Sequence, residues 1–334
     1  MALHATLMNE LYPLKFKPVF DDRVWGGDKI RTQMGLDFSP MDRCAEAWIL
    51  SGYEGKQTTV SNGFLVGNEL NELVEIYMDD LIGGKVFETS GDVFPLLIKF
   101  IDAREWLSIQ VHPGDDLARK RNQTNGKTEM WYVIDADKGA QLISGFNKKV
   151  TQKQYLEHLQ NKSLPDILNF EKVNAGDVFF MPAGRIHALG PGVLLTEIQQ
   201  TSDATYRIYD WDRVDADGKG RDLHTELALA AIDFNHYSEY KTNYKQRLNE
   251  TANLVTCPYF TTNLLELAQP LRKEYEDLDS FVIFICMEGS MMLKYRNDGK
   301  MVAGRGEVVL IPASLGRVEI HPVDSVKFLE VYIA

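Results

Sequence analysis

Residues 107–129 read LSIQVHPGDDLARKRNQTNGKTE, and residues 180–189, well downstream, read FMPAGRIHAL. In the first stretch Gln110 and His112 alternate with Ile109 and Val111. On an extended strand this alternation sends both polar side chains out of one face and both aliphatic ones out of the other. Glu129 opens the apolar run MWYVI, and His187 follows a Pro-Ala-Gly turn between two further apolar runs. A β-barrel can bring these four side chains together. Gln110, His112, Glu129 and His187 around an open position form a zinc-type donor set with one amide oxygen substituted. The same residues also have a plain reading, as buried polar groups satisfied by hydrogen bonds.

A second chemical cluster follows the histidine turn, in residues 196–213, TEIQQTSDATYRIYDWDR. Glu197 and Gln199 alternate on a strand, with Asp203 and Arg207 beyond it. Near a metal, a carboxylate and an arginine supply a proton-transfer group and an anion clamp; at a surface they form an ion pair of little worth. Lys127 stands two residues before Glu129, so its ammonium can reach the same cavity and bind an anionic substrate. Lys99 interrupts the apolar run PLLIKFID at 95–102, either as an edge residue that snorkels or as a residue facing a cavity.

Outward from these stretches the chain is strand-rich. Short apolar runs and Gly or Pro turns recur, and QTTVSNG at 57–63 suggests a hairpin. Helical spacing predicts a helix over 70–81 ended by Gly83-Gly84, a short surface helix in DDLARKRNQ from residue 115, a helix over 151–160 opened by a Thr-x-x-Gln capping box, and a helix over 223–234 with Asp222 as its cap. His158, His224, His236 and His321 have no partner at ligand spacing and read as structural or surface residues. Many short strands and few helices favour an antiparallel jelly roll over a doubly wound sheet. No Gly-rich loop joins a strand to a helix, which excludes a Walker or Rossmann phosphate cradle, and G-x-S-x-G is absent.

GDVFFMPAGRIH from Gly176 and GEVVLIPASLGR from Gly306 share Gly-acid-Val-x-x-x-Pro-Ala, and a strand carrying a glutamate follows each. This self-similarity predicts two related barrels. In register, His187 falls opposite Arg317, so the second barrel lacks its metal histidine. The expected division is residues 1–237, a catalytic unit with the metal site and helical insertions, and residues 238–334, a metal-free jelly roll.

At 334 residues, with 44% hydrophobic and 25% charged residues, the chain has the composition of a soluble globular protein large enough for two domains. A net charge of −12 argues against nucleic acid or an anionic membrane as partner. The opening stretch MALHATLMNELYPLKFKP has no continuous apolar region, so a cytosolic protein, as monomer or homodimer, is expected. Cys44, Cys257 and Cys286 are odd in number and widely spaced, and read as small buried hydrophobes.

SIQVHP, GKTEMWYV, PAGRIHAL and TEIQQTSDATYRIYDWDR resemble, in this order, the signature segments of the type I mannose-6-phosphate isomerases, zinc-dependent cupins also called phosphomannose isomerases. WGG at 25–27 and PLLIKFIDA at 95–103 fit as well, and AEAW at 45–48 stands where many relatives have GE-x-W. The likeness runs from about residue 14 to residue 213, and the chain is similar to the short bacterial form. It implies two cupin jelly rolls and one zinc ion per chain at Gln110, His112, Glu129 and His187. Short bacterial forms are described with the two histidines and the glutamate, which sets Gln110 apart. It further implies an active-site arginine at Arg207, with Lys127, Glu197 and Asp203 in the pocket. The activity implied is the interconversion of mannose 6-phosphate and fructose 6-phosphate through a cis-enediol. The resemblance leaves the base open; the residues favour Glu197, with Asp203 as the alternative, over His187, whose lone pair a zinc ion would engage. Two rival functions are a redox-type cupin metalloenzyme and a sugar-phosphate-binding cupin without turnover.

Overall fold

The computed structural model describes residues 10–121, 125–214 and 217–334. Its named strands form three sheets in which every strand pair is antiparallel. The chain is mainly β, as expected. One six-stranded sheet runs in the order Val178–Met181, Glu129–Ala136, Val193–Gln200, Leu96–Ala103, Glu46–Leu50, Val19–Asp21. A five-stranded sheet runs Tyr206–Tyr209, Ile109–Val111, His187–Leu189, Gln141–Phe146, Leu168–Lys172. Side chains from the two sheets meet between them, around Trp25, Ile101, Trp131, Leu142, Leu189 and Leu195.

The strand Leu96–Ala103 is buried along its whole length because both of its faces are covered. Leu96, Ile98 and Phe100 point away from the five-stranded sheet and pack with Met130, Leu194 and Ile198 against Phe281, Ile283, Ile285, Leu310, Leu329 and Val331. Apart from Phe281, which immediately precedes strand Val282–Tyr295, these last belong to a nine-stranded sheet made mostly of the C-terminal chain. Leu14–Lys17, from the N-terminal part of the chain, joins it by pairing Leu14 with Leu310 and Lys15 with Val309, and Thr59–Val60 pairs beyond as its edge. Each fully buried aliphatic or aromatic side chain contributes about 1.5–3 kcal/mol, so this shared layer joins the two halves into one core.

Inside the C-terminal unit the space is filled by Leu265, Val282, Phe284, Val309, Ile311 and Phe328. Arg317, the register counterpart of His187, is exposed at the start of its strand. Of the two glutamates of that strand, Glu330 is buried and neutralised by Lys273 at 2.9 Å, with further hydrogen bonds from Tyr275 at 2.6 Å and Asn263 at 2.9 Å.

The helices depart from expectation in detail. Leu70–Ile82 forms with a Glu69/Glu72 capping box, and the chain re-enters a helix at Gly84–Ser90 instead of stopping at the glycine pair. Gln152–Gln160 has the predicted Thr151/Gln154 box. From residue 115 the helix is Asp115–Lys120; Asn122 and Gln123, also expected in it, lie outside the described residues. Over 223–234 only Thr225–Leu229 is helical, and Asp222 does not cap it. Leu223 and Leu227 are exposed, while Ala228 and Ile232 enter the outer core with Leu229, Ala231 and Phe234 against it, so the stretch has a buried face but holds it only partly as helix. The Asn62-Gly63 pair opens a 3-10 turn, and Val60 exchanges hydrogen bonds with Gly67 and Asn68 across a wider reversal than a two-residue hairpin. All three cysteines are free; Cys44 and Cys286 are buried and Cys257 is half-buried. Among the described residues no helix is long and apolar enough to cross a membrane.

Candidate active site

Register builds the site. In the six-stranded sheet Trp131, Glu197, Lys99 and Trp48 are direct partners across four neighbouring strands, Trp131 opposite Glu197, Glu197 opposite Lys99, and Lys99 opposite Trp48. Side chains in such a row share one face. Glu129 and Glu46, each two residues before a tryptophan of the row, share it too. In the five-stranded sheet Gln110 lies between His187 and Arg207. Its neighbours Ile109 and Val111 point the other way, into an outer core with Ile186, Tyr206, Ile208 and Tyr155. The alternation read from the sequence is therefore the alternation in the fold.

The two faces meet at His112, Glu129 and His187, whose donor atoms lie within 4.8 Å of one another. His112 Nε2 is 3.5 Å from Glu129 Oε2, and His187 Nε2 is 3.4 Å from Glu129 Oε1. His112 Nδ1 lies 2.9 Å from the carbonyl of Ala204, and His187 Nδ1 lies 2.9 Å from that of Arg185. Each carbonyl fixes the Nδ1–H tautomer and leaves an Nε2 lone pair facing the carboxylate. The Pro182 to Arg185 turn that aims His187 needs Gly184, whose φ is +90°.

Electrostatics here favour a cation. Burial holds His187 down to about 4 and His112 well below the ordinary histidine value, so both rings are neutral donors. Burial first, and then the Glu197 carboxylate, push Glu129 up to about 7. Burial opposes the charge on Lys127, but Glu129 and then Glu197 outweigh it and raise the ammonium above the usual lysine value. Lys127 Nζ sits 3.0 Å from Glu129 Oε2, 3.2 Å from His112 Nε2 and 3.9 Å from Glu197 Oε1. Apart from that Lys127 contact, neither Glu129 oxygen makes a hydrogen bond among the described residues, although the residue is fully buried. Two neutral imidazole Nε2 atoms, which here face the Lys127 ammonium and the Gln110 amide, and a buried carboxylate between them are the donor set a divalent ion requires.

The group opens into a cavity of about 260 Å³, close to the lower end of small-molecule sites at roughly 300 Å³. Gln110, Lys127, His187, Glu197, Asp203 and Arg207 line it. His112 and Glu129 stand just behind. Gln110 is half-buried, with Nε2 at 3.3 Å from His187 Nε2. Glu197 is buried; Oε2 accepts the indole N–H of Trp131 at 2.8 Å, while Oε1 makes no hydrogen bond. Asp203 is exposed at the mouth and Arg207 is half-buried. Of the two readings of Lys99, the cavity is the one found: it is buried, 3.6 Å from Glu197 and 3.4 Å from Glu46.

Arg23, Arg221 and Trp131 also line the cavity and were not singled out from sequence. Arg221 is held by Asp210, which also holds Arg213. Only the register of Glu197 with Trp131 would have marked the tryptophan, and register is not visible before the strands are paired. His224 is structural: its Nδ1 accepts the backbone N–H of Arg207 at 3.0 Å.

Residues 13–154 match the family model of the phosphomannose isomerase type I catalytic domain, and residues 250–328 match that of the mannose-6-phosphate isomerase cupin domain. Over 322 residues the chain is 35% identical to mannose-6-phosphate isomerase ManA of Bacillus subtilis, covering 92% of this chain and 96% of that relative. The chain belongs to the type I phosphomannose isomerases. A second phosphomannose isomerase relative, the mannose-6-phosphate isomerase of Streptococcus mutans, is 36% identical over 250 residues, 75% of this chain and 77% of that one. The crystal structure of the Bacillus subtilis mannose 6-phosphate isomerase superposes with a TM-score of 0.86 at 31% identity, covering 96% of this chain and 99% of that one. A phosphomannose isomerase structure from Salmonella typhimurium shares the fold at a TM-score of 0.78 and 16% identity, over 97% of this chain and 100% of that one. The motif resemblance thus named the right family, and the match extends into the C-terminal unit.

Proposed function

We propose that the chain is a zinc-dependent aldose-ketose isomerase that interconverts mannose 6-phosphate and fructose 6-phosphate through a cis-enediol. The observation that carries this reading is the buried group His112, Glu129 and His187, its donor atoms converging within 4.8 Å, with Lys127 and Glu197 beside it on one cavity. These three would hold the ion. Gln110, with its amide turned about the last bond, would add Oε1 as a fourth donor. Bound there, zinc supplies Lewis-acid polarisation of a sugar oxygen.

Aldose-to-ketose conversion breaks the C2–H bond and makes a C1–H bond with no net gain or loss of electrons, so one group must take a proton and return it. Glu197 suits the task. Trp131 fixes one of its oxygens and the other is free of hydrogen bonds inside the cavity. Asp203, exposed at the mouth, is the alternative. Lys127 stands beside Glu197, where its fixed positive charge stabilises negative charge developing on O1 or O2.

Arg207 and Arg221 take the phosphate. Burial and then the neighbouring Arg221 charge hold the Arg207 guanidinium below its usual value, and an anion bridging the two relieves that repulsion. All these residues lie within 1–237, and residues 238–334 act as support.

A coupled assay of mannose 6-phosphate turnover tests the reading on metal-stripped and zinc-reloaded protein. Activity is expected only after reloading, with exchange of the C2 proton into solvent. A folded protein inactive in both states overturns the proposal.

A further inference from the structure

The loops that carry the metal-facing side chains converge on one carboxylate outside the cavity. Asp115 Oδ1 accepts the backbone N–H of Gly126 at 2.8 Å and the side-chain amide of Gln200 at 3.0 Å, and its Oδ2 accepts the phenol of Tyr259 at 2.7 Å. Gln200 turns its own oxygen to the N–H of Thr128 at 2.9 Å, and Thr128 Oγ1 accepts the N–H of Ala183 at 3.3 Å. The N–H of Lys127 donates to Pro113 at 3.0 Å, and that of Gly184 donates to His112 at 2.9 Å. A Cβ at Gly126 would lie 2.6 Å from the Asp115 nitrogen, so the two loops approach as closely as glycine permits.

Each strut of this web ends beside a site residue. His112 precedes Pro113, Lys127 and Glu129 flank Thr128, His187 follows the turn of Ala183, and Glu197 shares a strand with Gln200. Asp115, Thr128 and Gln200 do not themselves line the cavity. Tyr259 comes from the other half of the chain, in the turn between strands Thr251–Thr256 and Thr261–Leu267.

We infer that Asp115 is a positioning residue for the metal-facing side chains, and that through Tyr259 the C-terminal unit braces residues 126–129 in place. The inference rests on the metal reading proposed above. It gives the C-terminal unit a share in the site beyond support of the shared core. Pinning the backbone at Gly126 and Thr128, on both sides of Lys127 and just before Glu129, fixes where their side chains start. Partners one step behind metal ligands typically change affinity or activity by about 10- to 100-fold when removed.

The test compares Asp115→Ala, Asp115→Asn and Tyr259→Phe with wild type, and uses Tyr244→Phe as a control that loses a comparable hydrogen bond, to Gly176 at 2.7 Å, that is no part of the web. Zinc release to a chelator should be about 10-fold faster in Asp115→Ala, with kcat falling more than KM changes. Tyr259→Phe should move both in the same direction by about threefold. Asp115→Asn keeps an oxygen for Gly126 and Gln200 and an N–H for the Tyr259 oxygen, so it should restore both values. Amide hydrogen exchange at Gly126 and Thr128, read on metal-free protein, should speed up in Asp115→Ala and Tyr259→Phe and not in Tyr244→Phe. Unchanged exchange at those amides, or lower thermal stability with unaltered zinc release and kcat, overturns the inference. Wild-type protein that binds no zinc would instead defeat the metal reading, and the exchange data would still decide whether the brace exists.

Discussion

The indole N–H of Trp131 donates to Glu197 Oε2 at 2.8 Å, between adjacent strands whose register sets the two residues opposite each other. Both are buried, and Trp131 also meets the His187 ring edge-on at 5.3 Å. Trp131→Phe keeps an aromatic ring at the position and withdraws the donor. A hydrogen bond to a charged group contributes about 1.5–3 kcal/mol, and a barrier change of that size corresponds to roughly 10- to 100-fold in rate. We expect kcat to fall by that factor while the protein remains folded. Unchanged kcat with reduced thermal stability would remove Glu197 from proton transfer.

Glu129→Gln keeps the shape of the residue and removes its charge. Lys127 then loses its 3.0 Å partner while remaining buried. Lys127 keeps His112 Nε2 at 3.2 Å and Glu197 at 3.9 Å, so the loss stays below the roughly 3–5 kcal/mol of a buried charge left with no partner, and the metal-free variant should unfold at moderately lower denaturant than metal-free wild type. Zinc affinity should fall at the same time, by 10-fold or more. Denaturant titration and calorimetric zinc titration measure the two effects separately. A variant that binds zinc as wild type does would take Glu129 out of the donor set.

Much of this site can be read from local pattern. Gln110 and His112 declare a strand face by alternation, and Thr151 with Gln154 declares a helix start, because in each case the deciding contacts are a few residues away. What local pattern cannot supply is partnership between distant segments. Lys99 is read as a cavity residue only once Glu197 and Trp48 flank it, and Leu14–Lys17 joins the C-terminal sheet through a partner almost 300 residues on. The shortened helix at Thr225–Leu229 fails for a related reason. Its apolar spacing is genuine and Ala228 and Ile232 do reach a core, but Leu223 and Leu227 stay exposed, and which of the apolar residues meet a partner depends on distant segments.

Asp102 makes a prediction about pH. It is buried, accepts the backbone N–H of Lys29 at 2.6 Å, and is pushed up to about 6, chiefly by burial. In the unfolded chain its pKa is about 3.9. Between these values the native state retains a proton the unfolded chain has lost. The contribution is therefore complete below pH 4 and declines as pH rises towards 6, by up to about 1.4 kcal/mol per pH unit. Asp102→Asn removes the titrating group. The stability difference between variant and wild type should grow in favour of the variant from pH 4 to pH 6 and then level off. Denaturant unfolding of both proteins across that range gives the difference directly, and a flat difference would contradict the assigned shift.

The shared core predicts how the two units unfold. All five tryptophans, Trp25, Trp48, Trp106, Trp131 and Trp211, lie in the first 237 residues, so tryptophan fluorescence reports that part of the chain alone. Phe284 lies at the centre of the C-terminal interior, fully buried and packed on Phe328 with ring centroids 5.0 Å apart. Phe284→Ala should cost about 3–5 kcal/mol. Phe284 belongs to the interior core of its own unit, whereas its strand neighbours Ile283 and Ile285 enter the layer shared with Leu96, Ile98 and Phe100. If that layer makes unfolding cooperative, damage at Phe284 must appear in the fluorescence of tryptophans it does not touch. The fluorescence midpoint should therefore shift to the same temperature as the midpoint from far-ultraviolet circular dichroism. A circular dichroism transition that moves while the tryptophan transition stays put would mean that the units unfold independently and that the joint between them is weaker than its buried apolar side chains imply.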